Sequence, residues 1–326
     1  MRAGPDSAGR FGAVDGLLVL VVLIWGVNFS VVKAAIAQVP PLFFNSLRLL
    51  GASLLLLTLA RLAAAPRHWT PSDLRRVVFL ALVGHTGYQT CFILGLFGTS
   101  ASESALLLGT TPVAVAMVGA VTGVDRPSRR AWLGTLVSLA GVALIIGRSA
   151  NASASLRGEL LTVAATLCWA VYTVGSADLL ERHGPLRVTA YTMALGTLFF
   201  LPLGFSSILE RSLTEVPAWA WLGLAYSSVF ALALSYYLWY YSVARLGPTR
   251  TAIYSNLTPV AALGVATLVF GEPLSSVQLA GAAVIFLGLY LVRKSPPGGS
   301  SGNRQEPAAA LTETGARNEG RSQQAP

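Results

Sequence analysis

Charge is what this 326-residue chain has least of. Asp, Glu, Lys and Arg together make up 11% of it, against about 25% in a soluble domain. Hydrophobic residues make up 54%, and mean hydropathy is +0.62. So few charges leave no polar shell for a water-soluble globule, but enough to mark short loops between membrane spans. The two cysteines, Cys91 and Cys168, both sit inside apolar runs, so neither a disulfide framework nor a metal-ligand pattern is on offer. There is no H-E-x-x-H, no G-x-S-x-G and no Walker A sequence. No catalytic residue, no metal and no cofactor is therefore expected. The net charge of +9 invites a nucleic-acid reading. Such a partner would need the charges gathered on one soluble face; here they punctuate apolar segments, which excludes it and leaves the lipid bilayer.

What is there is a series of apolar runs. A helix needs about 20 mostly apolar residues to cross the hydrocarbon core. Runs of that kind occupy roughly 14–33, 42–60, 76–97, 102–123, 131–147, 159–178, 188–208, 217–242, 250–270 and 275–292. No small-residue cleavage site follows the first, so it reads as a retained helix. The expectation is an all-α polytopic membrane protein of ten transmembrane helices. Segments 1–13 and 295–326 read as disordered ends, the second rich in Gly, Pro, Ser and Gln. Loops on one side carry fifteen Lys and Arg residues and those on the other three, Arg148, Arg157 and Arg211. Positive charge marks the cytoplasmic side, so both termini are expected there, in a cell membrane.

The runs repeat. Ala105–Ile146 and Ala252–Leu291 share a pattern in which Thr111-Pro112 falls on Thr258-Pro259, Gly134 on Gly281 and Gly141 on Gly288, each 147 positions apart. Upstream, Trp25 falls on Trp169 and Pro41 on Pro185, each 144 apart. A drift of three residues over so long a repeat indicates duplication. The units expected are 14–148 and 158–293, five helices each. Because five is odd, the second enters from the opposite face and the repeats are inverted. Inverted repeats build a site near the midplane that opens alternately to each side, the architecture of secondary transporters.

Trp25–Lys33 (WGVNFSVVK), the FFNSLR run ending at Arg48, and the two Thr-Pro segments followed by paired glycines resemble the EamA family of the drug/metabolite transporter superfamily. The resemblance spans about residues 14–293. It implies a ten-helix carrier of two inverted halves for a small-molecule substrate; the first reading is an exporter of amino acids or related compounds, and the second a drug or nucleoside-like permease. The rival class is a membrane enzyme or scaffold, which should gather acidic, His or Ser groups at one membrane face. The second half departs from the pattern: Tyr172 stands in place of Asn28, Ala177 of Lys33 and Thr192 of Arg48.

Ionisable groups inside a span cost about 2.5–3.5 kcal/mol at the centre on insertion scales, so each asks for a reason. Lys33 and Arg48 either meet an anionic group of the substrate or reach headgroups and helix carbonyls. His85, Tyr88, Gln89 and Phe92 share one helix face and are expected at a cavity or against another helix's polar groups. His85 makes a proton a candidate coupling ion. Trp25, Asn28, Trp169, Tyr172, Tyr236 and Tyr254 add aromatic and amide surface for substrate. Glu103 is either a helix cap or a gate. Pro112 and Pro259 each free a carbonyl, at Leu108 and Ser255, and are the expected hinges. The paired glycines read as close-packing positions. A monomer and a homodimer are both compatible with the sequence.

Overall fold

The computed structural model describes residues 12–63, 68–98, 104, 107–146, 156–206, 216–261, 264 and 275–295, and all regular structure among them is helical. In chain order the helices are α1 (Ala13–Ala35), α2 (Pro41–Leu62), α3 (Pro71–Gly98), α4 (Thr111–Thr122), α5 (Arg129–Ile146), α6 (Leu156–His183), α7 (Pro185–Phe205), α8 (Ala218–Leu246), α9 (Pro248–Ala252) and α10 (Ser276–Arg293). Seven of them (α1, α2, α3, α6, α7, α8 and α10) are long and apolar enough to cross a membrane, with 18 to 29 residues each. α4 is a shorter apolar helix. The runs expected at 102–123 and 250–270 lie partly outside the described residues, and Glu103 falls among those left out.

The starts of these helices are written in the sequence. Proline opens α2, α3, α7 and α9, the first helical position, where its missing N–H costs nothing. Thr70 caps α3: its hydroxyl accepts from the Asp73 N–H, and the Asp73 carboxylate accepts from the Thr70 N–H. Ser275 and Gln278 do the same for α10. Between α6 and α7, and again between α8 and α9, the joint is a single glycine at positive φ, Gly184 at 84° and Gly247 at 85°. A side chain would be strained there, and a proline follows each.

Large apolar side chains stand on the outside, Val121 88% and Leu222 72% exposed among many. Facing water they would forgo about 25 cal/mol for every Å² left uncovered; facing acyl chains they lose nothing. The protein is therefore a multi-pass membrane protein.

Packing follows a two-fold pattern. α5 lies against α10, α2 against α7, α3 against α6 and α1 against α8. Exchanging each helix for its counterpart in the other half turns this set of pairs into itself. Contacts between repeat mates mark the axis. Ser53 and Thr197, 144 apart, hydrogen-bond at 2.7 Å. Gly134 meets the Gly288 backbone while Gly141 meets that of Gly281, leaving no room for a Cβ on either helix. Each half also carries one π-helical stretch, Leu82–Gly87 in α3 and Ser227–Leu234 in α8, at corresponding positions.

Candidate functional site: a central aromatic cavity

Between the halves lies a cavity of ≈ 90 Å³. Repeat mates meet at its wall. The Trp25 and Trp169 rings stand edge to face with centroids 5.7 Å apart, and the amide nitrogen of Gln89 donates to the hydroxyl of Tyr236, 147 positions on, at 2.9 Å. Tyr236 is edge-on to Trp169 at 5.2 Å, and Tyr88 lies 5.0 Å from Trp169. The π-helical stretch of α8 contributes directly. Its Ala231 carbonyl accepts from the Trp25 indole N–H at 3.0 Å, which fixes that ring.

Polar groups in the cavity come mostly from the first half. Asn28 lines it with its amide oxygen accepting from Ser227 at 2.5 Å. Arg48 lines it while 2% exposed. One guanidinium nitrogen donates to Asn45 at 3.0 Å, and the group lies 5.8 Å from the Phe44 ring. The Arg48 Nε has no hydrogen-bond partner, and no described carboxylate pairs with the side chain. A buried cation without a counter-charge is costly and is the strongest electrostatic feature of the wall. Lys33, by contrast, spends its ammonium on the Leu96 carbonyl near the end of α3 at 2.6 Å, a site where the helix dipole favours a cation.

The second-half counterparts of Asn28 and Arg48 are packed away. Tyr172 and Thr192 hydrogen-bond each other at 2.6 Å, and His85 Nε2 lies 3.0 Å from the Tyr172 hydroxyl. Thr192 donates its own proton to the Val188 carbonyl at 2.7 Å. One direction satisfies the chain: His85 N–H to Tyr172, Tyr172 to Thr192, Thr192 to backbone. His85 is fully buried, lies beside Tyr236 and does not line the cavity. Gly84 makes room for the Tyr172 ring and Gly196 for His85, and a Cβ at either would collide.

The structure thus brings Trp25, Asn28, Arg48, Tyr88, Gln89, Trp169, Tyr236 and Pro259 to one cavity and sets His85 and Tyr172 behind its wall. Tyr254 turns away, donating its hydroxyl to Asp15. The prolines stand where helices restart. α4 begins at Thr111 after a turn, with the Leu108 carbonyl that Pro112 frees accepting from the Thr111 hydroxyl at 2.5 Å. A 3-10 stretch, Ile253–Leu257, precedes Pro259. The cavity also takes in Phe29, one turn from Trp25, together with Thr111 and Thr258 of the repeated Thr-Pro pair. Helical spacing and the repeat carried a signal for these three. Nothing in the sequence signals Ala231 or Leu232.

A bundle of apolar helices enclosing a central cavity on a two-fold pattern is the architecture of a membrane transporter. The EamA-like transporter family matches twice, at residues 13–147 and 156–294, and the chain belongs to that family. An uncharacterized transporter of Archaeoglobus fulgidus is 30% identical over 84% of this chain and 95% of its own length. A probable amino-acid metabolite efflux pump of Salmonella typhimurium is 29% identical, over 85% of this chain and 94% of its own. A pump of the same description from Escherichia coli is 27% identical, over 85% and 94%. One solved crystal structure shares the fold with a TM-score of 0.70 at 18% identity, covering 86% of this chain and 96% of that one.

Proposed function

We propose that the protein is a secondary transporter that exports an amino acid or a related small metabolite across the cell membrane by alternating access. In this reading 14–148 and 158–293 are inverted repeats, and both termini are cytoplasmic. Arg48 carries the proposal: a buried, unpaired guanidinium at the cavity wall asks for an anionic group, and a substrate carboxylate supplies one. Trp25, Trp169, Tyr88 and Tyr236 then pack the apolar part of the solute, while Asn28 and Gln89 supply amide groups. Two relatives described as amino-acid metabolite efflux pumps point the same way.

The test is uptake into inside-out vesicles of the purified, reconstituted protein, with a panel of amino acids, their decarboxylated analogues and neutral drug-like aromatics. Saturable uptake restricted to solutes bearing a carboxylate is expected. Equal uptake of the decarboxylated analogues would remove Arg48 from recognition and favour the drug-permease reading.

A further inference from the structure

A second polar cluster stands apart from the cavity, at the end of the molecule where α1 begins and α10 ends. Asp15, in the first turn of α1, is 5% exposed. Its carboxylate accepts from the Gly12 N–H at 2.7 Å, from the Tyr254 hydroxyl, and from Arg293 Nη2 at 3.0 Å, with Arg293 Nε 2.9 Å from the other oxygen. Three elements far apart in sequence, α1, the 3-10 stretch after α9, and the end of α10, are tied by this one carboxylate. Cross-ties of the same kind stand beside it. Asp125, after α4, accepts from the Thr249 N–H at 3.1 Å, and Arg250 donates to the Ser295 carbonyl.

The placement of these ties is one-sided. Asp15 lies ten residues before Trp25, about 15 Å down the α1 axis from the cavity wall. Asp73 is bound by Arg182 at 2.5 Å and His183 at 3.0 Å, where α3 begins and α6 ends, and Asp178 by Arg76 at 2.6 Å. The sequence repeat and the alternation of helix direction put those ends at the same face as the start of α1. The ion pairs of Asp15, Asp73 and Asp178 therefore all stand at that face. The cavity lies toward the other: Arg48 is two turns from the start of α2, and Phe92 and Leu108 flank the connection between α3 and α4.

We propose that Asp15, Tyr254 and Arg293 form the gate that closes the cavity at the face of the chain termini. Substrate reaches this gate through the 3-10 stretch, because Ser255 lines the cavity while its neighbour Tyr254 holds Asp15. A shift of that stretch on binding withdraws the Tyr254 hydroxyl and loosens the carboxylate from Arg293. A 3-10 stretch suits the role, since its hydrogen bonds are poorer than those of the α-helix on either side. The gate rests on the reading of the cavity as a transport site.

The experiment uses the full chain with Cys91→Ser and Cys168→Ser, and a single reporter thiol from Thr258→Cys on the cavity wall. An impermeant maleimide is applied to vesicles of each orientation, and an N-terminal epitope tag identifies the face of the termini. Tyr254→Phe and Asp15→Asn are each expected to raise labelling from that face by roughly five-fold or more, the effect of losing a tie of one kcal/mol. Unchanged labelling in Tyr254→Phe, which deletes only a hydroxyl and keeps the fold, overturns the gate, as does a rise from the opposite face. Labelling that shifts as expected, while the parent chain with its native Thr258 transports no solute of the panel, keeps the three residues as a closure of the cavity and removes the transport reading.

Discussion

At the scale of single residues, two cations that look alike in sequence take different work. Lys33 and Arg48 flank the same short connection, yet Lys33 holds a helix-end carbonyl while Arg48 faces the cavity without a counter-charge. That separation makes a prediction with two signs. Replacing Arg48 by Gln removes a charge-assisted contact of about 1.5–3 kcal/mol, so transport of carboxylate substrates should fall roughly ten- to hundred-fold. The same change removes an unpaired buried cation, so the thermal midpoint in detergent should hold or rise. A variant that loses stability and transport together would make Arg48 a structural residue. Asn28 and Arg48 were visible as polar positions that the second half does not repeat. That their counterparts Tyr172 and Thr192 bind each other and His85 was not, because nothing in a single helix says which neighbour its polar face meets.

At the scale of elements, the repeated glycines did read correctly as close-packing positions, and the contact between α5 and α10 shows why they must be glycine. A Cβ on Gly288 would meet the Gly134 carbonyl and Ser138. Gly288→Val should therefore destabilise by about 1–3 kcal/mol and lower the detergent melting temperature. Gly16, on α1, has nothing within 4 Å. Gly16→Ala should be neutral or gain about 1 kcal/mol of helix propensity. Equal losses at both positions would show that backbone approach between α5 and α10 is not the constraint. The prolines were legible as interruptions but not in their form. Pro112 frees a carbonyl that Thr111 occupies at once, and Pro259 follows a 3-10 stretch, so the two are restarts of a helix rather than bends within one.

At the scale of the whole molecule, orientation is the quantity that the fold alone does not carry. Fifteen basic residues against three in alternate loops are the ground on which we propose that both termini are cytoplasmic. A single thiol at Ser128→Cys in a chain lacking Cys91 and Cys168 should escape an impermeant reagent in intact cells, whereas one at Ser153→Cys should react. Reaction at position 128 without permeabilisation would reverse the assignment and, with it, the direction in which the gate at Asp15 opens.

The sequence by itself determined the environment, the positions of the apolar helices and the internal repeat. Length, charge scarcity and spacing are properties of the chain, and a bilayer accepts only segments that satisfy their own backbone hydrogen bonds. Only the tertiary structure decided which polar groups share a cavity, and that Asp15 and Arg293, 278 positions apart, share a hydrogen bond. The reason lies in the solvent. In water a helix turns its apolar stripe inward, so the sequence states its rotation. Acyl chains are as apolar as a leucine-rich core, so a helix that is apolar on every side carries no such statement, and its inward face is set by the small residues and hydrogen bonds of the helices it meets.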